Sequence, residues 1–364
     1  MMRSTGLALL LVLAVSGCAE RSGSGPRPDA PVVLETFEVG PAVVVRSLAI
    51  EPARRSLWVG TSSGVLEVDL PTSKVRRTFT RKDALANEYV FAIRIDDRGD
   101  KWFGTNAGGV SRLRGEQWKT LFPMHGLADY WVYAFAQQGR YLWIGTWAGA
   151  SRLDLESLKF TNYVKELVNE WVYGLAVDAR SRVWFGTEGG VSMLDGTNWR
   201  HWTHADGIGA PNRKNLSASQ NTGLGTRSRH DLSTLVDGRE SYNPNYVFAV
   251  HVAQDGAIWA GTWGGGVARF DGQRWHNLTS EEGLAGNIVY CIAQDAAGVL
   301  WFGTNRGLSR YDGRYWTNYS RETGLAGDDV YAVTVADSGD VWAGTLGAVT
   351  HFGAKRPDGS EKKQ

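Results

Sequence analysis

One pentapeptide constrains this chain more than any other feature. It recurs as LWVGT (57–61), KWFGT (101–105), LWIGT (142–146), VWFGT (183–187), IWAGT (258–262), LWFGT (300–304) and VWAGT (341–345). Trp58, Trp102, Trp143, Trp184, Trp259, Trp301 and Trp342 are therefore spaced by 41 to 44 residues, except for one step of 75. A period near 41 suits a four-stranded propeller blade and is too long for a leucine-rich repeat. The long step implies an insertion at about 205–240, polar and rich in Asn, Ser and Arg.

Residues 286–320 show how each unit reads. NIVYCIAQD is an apolar inner strand, DAAG a turn and VLWFGT a second strand. LSRYD is the third strand, Asp312-Gly313 a hairpin signal, and RYWTNYS the outer strand. No helical period appears. A single such sheet leaves its faces poorly buried, and stacking units around an axis buries them. The repeated Trp is large enough to fill the space between blades, and the Gly after it admits close backbone approach. The last unit lacks an outer strand after AVTHF, while residues 32–39 (VVLETFEV) precede the first inner strand without partners of their own. The expected fold is all-β: a seven-bladed β-propeller of four-stranded antiparallel blades over 32–353. Its N-terminal strand closes the last blade, which leaves no free edge.

Residues 300–331 (LWFGTNRGLSRYDGRYWTNYSRETGLAGDDVY) carry a more specific signature. They resemble the two-component regulator propeller repeat. That repeat combines a Leu-Trp-x-Gly-Thr strand, a Gly-Leu-Ser-Arg-Tyr-Asp-Gly strand and turn, and a Gly-Leu…Val-Tyr link. The resemblance runs through about 32–353. It implies a periplasmic sensor-type propeller, since members are often sensor regions of hybrid histidine kinases and many respond to glycans. This chain departs from them in having one ring of repeats and no kinase or DNA-binding region. The resemblance thus implies the fold and not the signalling output.

The N-terminus reads as a targeting segment. Arg3, the apolar run 7–15 and then Val15-Ser16-Gly17-Cys18 resemble a bacterial signal peptide (1–17) ending in a lipobox, which implies diacylation of Cys18. Buried acyl chains would hold the protein on a membrane. Ala19, where an Asp would imply inner-membrane retention, points to the outer membrane, facing the periplasm or the exterior. Residues 18–31 read as a flexible tether and 354–364 as a disordered tail. With Cys18 acylated, Cys291 has no disulfide partner and reads as a buried thiol. A net charge of +1 gives nucleic acid no electrostatic footprint.

In a propeller the links between blades and the loops between second and third strands emerge on one face. Tyr89, Trp131, Trp171 and Tyr246 stand just before inner strands; Asn106, Trp147, Glu188, Trp263 and Asn305 just after Gly-Thr pairs; Glu88 and Glu170 beside the first set. These slots vary while the framework does not, as in a site built from loops. Aromatic faces with nearby amides and carboxylates suit sugar rings. The competing reading is that these rings cap the blades and pack on one another.

Other chemistry finds little support. The Asp-x-x-Gly turns lack the carboxylate density of calcium loops and read as turn chemistry. His125, His201, His204 and His230 are scattered, no Cys pair marks a metal site, and no Gly-rich strand-to-helix motif marks a nucleotide. No catalytic residue, metal or cofactor is assigned. The sequence reads as a lipid-anchored, extracytoplasmic ligand-binding propeller recognising a glycan or small envelope ligand at an aromatic channel mouth. A docking module for another envelope protein is the alternative, and a propeller lyase a third reading, since fold alone does not choose.

Overall fold

The computed structural model describes residues 30–218 and 241–354. The signal segment, Cys18, nearly all of the tether, residues 219–240 of the insertion and the tail from residue 355 lie outside them. Seven antiparallel sheets form the ring. Blade 1 comprises Val45–Glu51, Ser56–Thr61, Gly64–Asp69 and Val75–Phe79, from the axis outward. Each later blade repeats that order.

Closure occurs as the sequence implies. Val32–Glu38 pairs antiparallel with Ala348–Gly353, from Val32 opposite Gly353 to Glu38 opposite Ala348. It becomes the outer strand of blade 7. Blade 5 departs from the four-stranded expectation. Ser217–Ala218 adds a short parallel strand beside Ser241 and Tyr242, so part of the additional chain is knitted onto the blade. Residues 204–210 are not extra chain in geometry. Gly207 takes φ 101°, like Gly126 (104°) and Gly324 (99°) in the ordinary links.

The apolar cores lie between blades. One cluster joins Trp102 and Leu121 of blade 2 to Val132 and Ile144 of blade 3, and another joins Trp342 and Val349 of blade 7 to Val45 and Val59 of blade 1. All seven repeated Trp are at most 4% exposed. The Gly two residues on is required by the next blade: a Cβ on Gly344 would stand 2.4 Å from Cγ1 of Val45, and one on Gly104 2.7 Å from Cγ1 of Val132.

The turns before the repeated Trp do two jobs. Oδ1 of Asp96 accepts from the backbone N–H groups of Arg98 and Asp100, while Oδ2 accepts from the Trp102 indole (2.8 Å). Asp178 serves Trp184 in the same way (2.9 Å). Glu51 accepts from Trp58 (2.8 Å) and the Gln138 amide oxygen from Trp143 (3.0 Å). Asp96 and Asp178 thus each hold a turn and satisfy a buried indole, which the turn reading alone did not reveal. In blade 5 the position is Ala253, and the Trp259 indole N–H is buried without a partner.

Candidate functional site

The two sets of loop residues do meet on one face. The backbone N–H groups of Asn106, Trp147, Glu188 and Asn305 donate to the carbonyls of Tyr89, Trp131, Trp171 and Ile288. Short side chains fix the links: Asn87 accepts from the Tyr89 N–H, Asp129 from that of Trp131, and Asn169 from that of Trp171, each at 2.8–2.9 Å.

Burial divides the candidates. Trp147 (7% exposed), Tyr246 (1%) and Trp263 (1%) are buried, so they present no free ring face. Trp147 packs against Trp171 and Trp131, at centroid distances of 4.7 and 5.8 Å. Trp263 stacks on Tyr246 at 5.7 Å and donates its indole N–H to Ser241. For these three the packing alternative describes the geometry. Tyr89, Trp131 and Trp171 are partly exposed, as are Glu88, Asn106 and Asn305, and Glu170 is exposed. Glu188 is buried and accepts from the Tyr173 hydroxyl at 3.3 Å. Glu88 and Asn305 also brace backbone, accepting from Arg81 and Ile288.

Directly beneath lies a set of residues that the loop alignment missed. The residues that follow Val45, Val90, Val132, Val172, Val247, Val289 and Val330, at the axis side of each blade, are Arg46, Phe91, Tyr133, Tyr173, Phe248, Tyr290 and Tyr331. In six blades the register slips at this residue, between Val45 and Ser47 in blade 1 and Val289 and Cys291 in blade 6, for example. A bulge leaves its extra residue unpaired and re-aims its side chain, here into the channel. The side chains form a closed circuit. Phe91–Tyr133 (4.8 Å), Tyr133–Tyr173 (4.9 Å), Tyr173–Phe248 (5.8 Å), Phe248–Tyr290 (5.9 Å) and Tyr290–Tyr331 (5.1 Å) are in ring contact. The Arg46 guanidinium bridges Tyr331 (5.5 Å) and Phe91 (5.3 Å). With Tyr246 these residues wall a cavity of about 80 Å³. The signal was in the sequence, as the residue after the repeated Val of each inner strand.

The surrounding electrostatics are those of a low-dielectric pocket. Burial raises the Asp329 carboxyl above its ordinary value, and the Tyr290 hydroxyl donates to it at 3.3 Å. Burial likewise lifts the Tyr173, Tyr246 and Tyr290 phenols well above theirs, which keeps them neutral donors. The Cys291 thiol is pushed up to about 12 by burial and points at the Val330 carbonyl, so it is a poor nucleophile.

The histidines are engaged locally. His125 accepts from the Phe122 N–H, His201 on the outer strand of blade 4 bonds Ser192 on the strand beside it, and His204 bonds the Ile208 carbonyl. His230 lies outside the described residues. Two larger concavities sit at blade junctions, off the axis. One of about 240 Å³ lies between residues 210–216 and 279–287, and one of about 560 Å³ lies beside Trp259, Arg269 and Tyr311. Among the described residues, no helix is long and apolar enough to cross a membrane.

Residues 283–306 match the family described as Two component regulator propeller. The match runs from the link after blade 5 through the inner strand and Trp-x-Gly-Thr strand of blade 6, the unit repeated around the ring. No curated protein matches the sequence. Among solved structures, the chain is similar to the extracellular domain of a hybrid two component system of B. thetaiotaomicron. Identity is 21% and the TM-score 0.69, over 89% of this chain and 41% of that one. A second such domain from the same organism gives 17% and 0.64, over 89% and 39%. The chain thus spans about two fifths of these domains. Virginiamycin B lyase from Staphylococcus aureus, in a structure with quinupristin, gives 11% and 0.63, over 88% and 99%. At such identities the likeness is one of fold.

Proposed function

We propose that this chain, built on the two component regulator propeller repeat, is a ligand-binding propeller of the bacterial cell envelope that takes a glycan at its channel mouth. The observation that carries this reading is the pairing of a closed aromatic floor with partly exposed Tyr89, Trp131 and Trp171 above it. Ring faces accept the C–H faces of sugars, while Glu88, Asn106, Glu170 and Asn305 offer polar partners for hydroxyls. The rigid bulged strands below would hold that surface in place without ligand, which lowers the ordering cost of binding.

The test is calorimetric titration of envelope oligosaccharides into the wild type and the Trp131→Ala/Trp171→Ala protein. Each stacked ring contributes about 1 kcal/mol, so losing two weakens binding more than tenfold. The variant should melt within a few degrees of the wild type. Equal affinity in the two proteins would remove the mouth from consideration. We further propose that acylated Cys18 tethers the ring to the membrane. Cys18→Ala should then leave the protein in the soluble fraction or as an uncleaved precursor; normal processing and membrane recovery would refute the anchor.

A further inference from the structure

Seven equivalent positions face the channel axis, and six hold aromatic rings. The seventh is Arg46. A propeller needs no charge there, since the neighbouring blades close the circuit with Phe or Tyr. The guanidinium lies between the Phe91 and Tyr331 rings, at 5.3 and 5.5 Å from their centroids. Its Nε is buried with no hydrogen-bond partner. Among the described residues, no carboxylate lies within ion-pair distance of it. The two acidic groups near the floor are committed elsewhere, Glu188 to the Tyr173 hydroxyl and Asp329 to the Tyr290 hydroxyl.

We infer that Arg46 makes the floor of the mouth an anion subsite, selecting a sugar that carries a carboxylate or a sulfate. Three features support this choice. A partly buried cation held by ring faces alone keeps its N–H donors available for a forked anion. Tyr133, Tyr173, Tyr290 and Tyr331 line the cavity with it, and burial keeps the Tyr173 and Tyr290 phenols neutral, so neither adds a negative charge beside the guanidinium. The cavity, about 80 Å³, has room for one small anionic group and not for a sugar ring. The sugar itself would remain above, beside Trp131 and Trp171. This inference rests on the glycan reading for the sugar, but the charge preference is independent of it.

The experiment follows intrinsic Trp fluorescence and calorimetry with glucuronate, a sulfated monosaccharide, inorganic sulfate and glucose. At least one anion should bind at least tenfold tighter than glucose, and added salt should weaken it. The carboxylate and sulfate arms identify which group is taken. Arg46→Phe completes the aromatic circuit. It should melt no lower than the wild type, lose the anion preference and leave any binding of glucose unchanged. Arg46→Lys should recover part of the preference. Absence of response to all three anions overturns the anion subsite, whatever neutral sugars do. An anion preference that survives Arg46→Phe overturns it equally. Binding of glucose and anions with equal affinity sinks the inference and leaves the glycan mouth standing.

Discussion

Deleting residues 32–38 should lower the melting temperature by more than 10 °C, or prevent cooperative folding altogether. The segment is a whole outer strand, paired along Ala348–Gly353. Without it, a strand whose six residues are all buried gains an open edge. Val33 packs in the cluster between blades 6 and 7, and Phe37 in the cluster between blades 7 and 1. Both junctions next to the closing blade lose apolar cover. Further ties go with it: Glu35 bonds both His351 and Ser73, and Ser73 belongs to blade 1. A strand edge that should be covered also becomes a template for pairing with other chains. The deleted protein should therefore associate at concentrations where the intact protein stays monodisperse. A synthetic peptide of residues 30–40 should restore the melting temperature when added in trans. Thermal melting that is unchanged by the deletion would show that the ring is held by its inner strands alone.

Closure was legible because it is an accounting matter. One strand was missing at one end of the sequence and one was spare at the other. The repeat was legible for a similar reason: Trp and Gly must recur wherever one blade meets the next, since Gly344 and Gly104 leave no room for a Cβ. The site was only half legible. Alignment placed Trp131, Trp147, Trp171 and Trp263 in loops of one face, but it carries no information on burial. Whether a loop Trp looks outward depends on what its neighbours offer, and Tyr246 and Ser241 engage Trp263 from chain that follows the long insertion. The channel circuit was missed for another reason. Strict alternation along an inner strand gives no hint that a bulge turns one residue toward the axis. The acceptors for Trp102 and Trp184 were hidden as well: Asp96 already had a sufficient explanation in an Asp-x-x-Gly turn, and Asp178, in Asp-Ala-Arg-Ser, does not fit that pattern.

Substituting Ala at both Trp147 and Trp263 should unfold much of the protein, in contrast to the mild effect expected for Trp131 and Trp171. Trp147 fills space against Trp131, Tyr133 and Trp171, and Trp263 against Tyr246 and Phe248. Removing a buried Trp costs about 3–5 kcal/mol through lost transfer energy and the cavity left behind. The two residues share none of these ring partners, so their effects should be nearly additive. About 6–10 kcal/mol is comparable to the whole stability of an ordinary domain. Replacement of Trp263 also orphans the Ser241 hydroxyl that accepts its indole N–H. Denaturant titration of the two single variants and the double variant measures these terms. The midpoint should fall for each single variant, and the double should be largely unfolded without denaturant. Trp131→Ala/Trp171→Ala removes partly exposed rings, so its midpoint should stay close to that of the wild type while its ligand affinity falls. A stable Trp147→Ala/Trp263→Ala protein with weakened ligand binding would invert this assignment, making the buried rings the recognition surface and the exposed ones its cover.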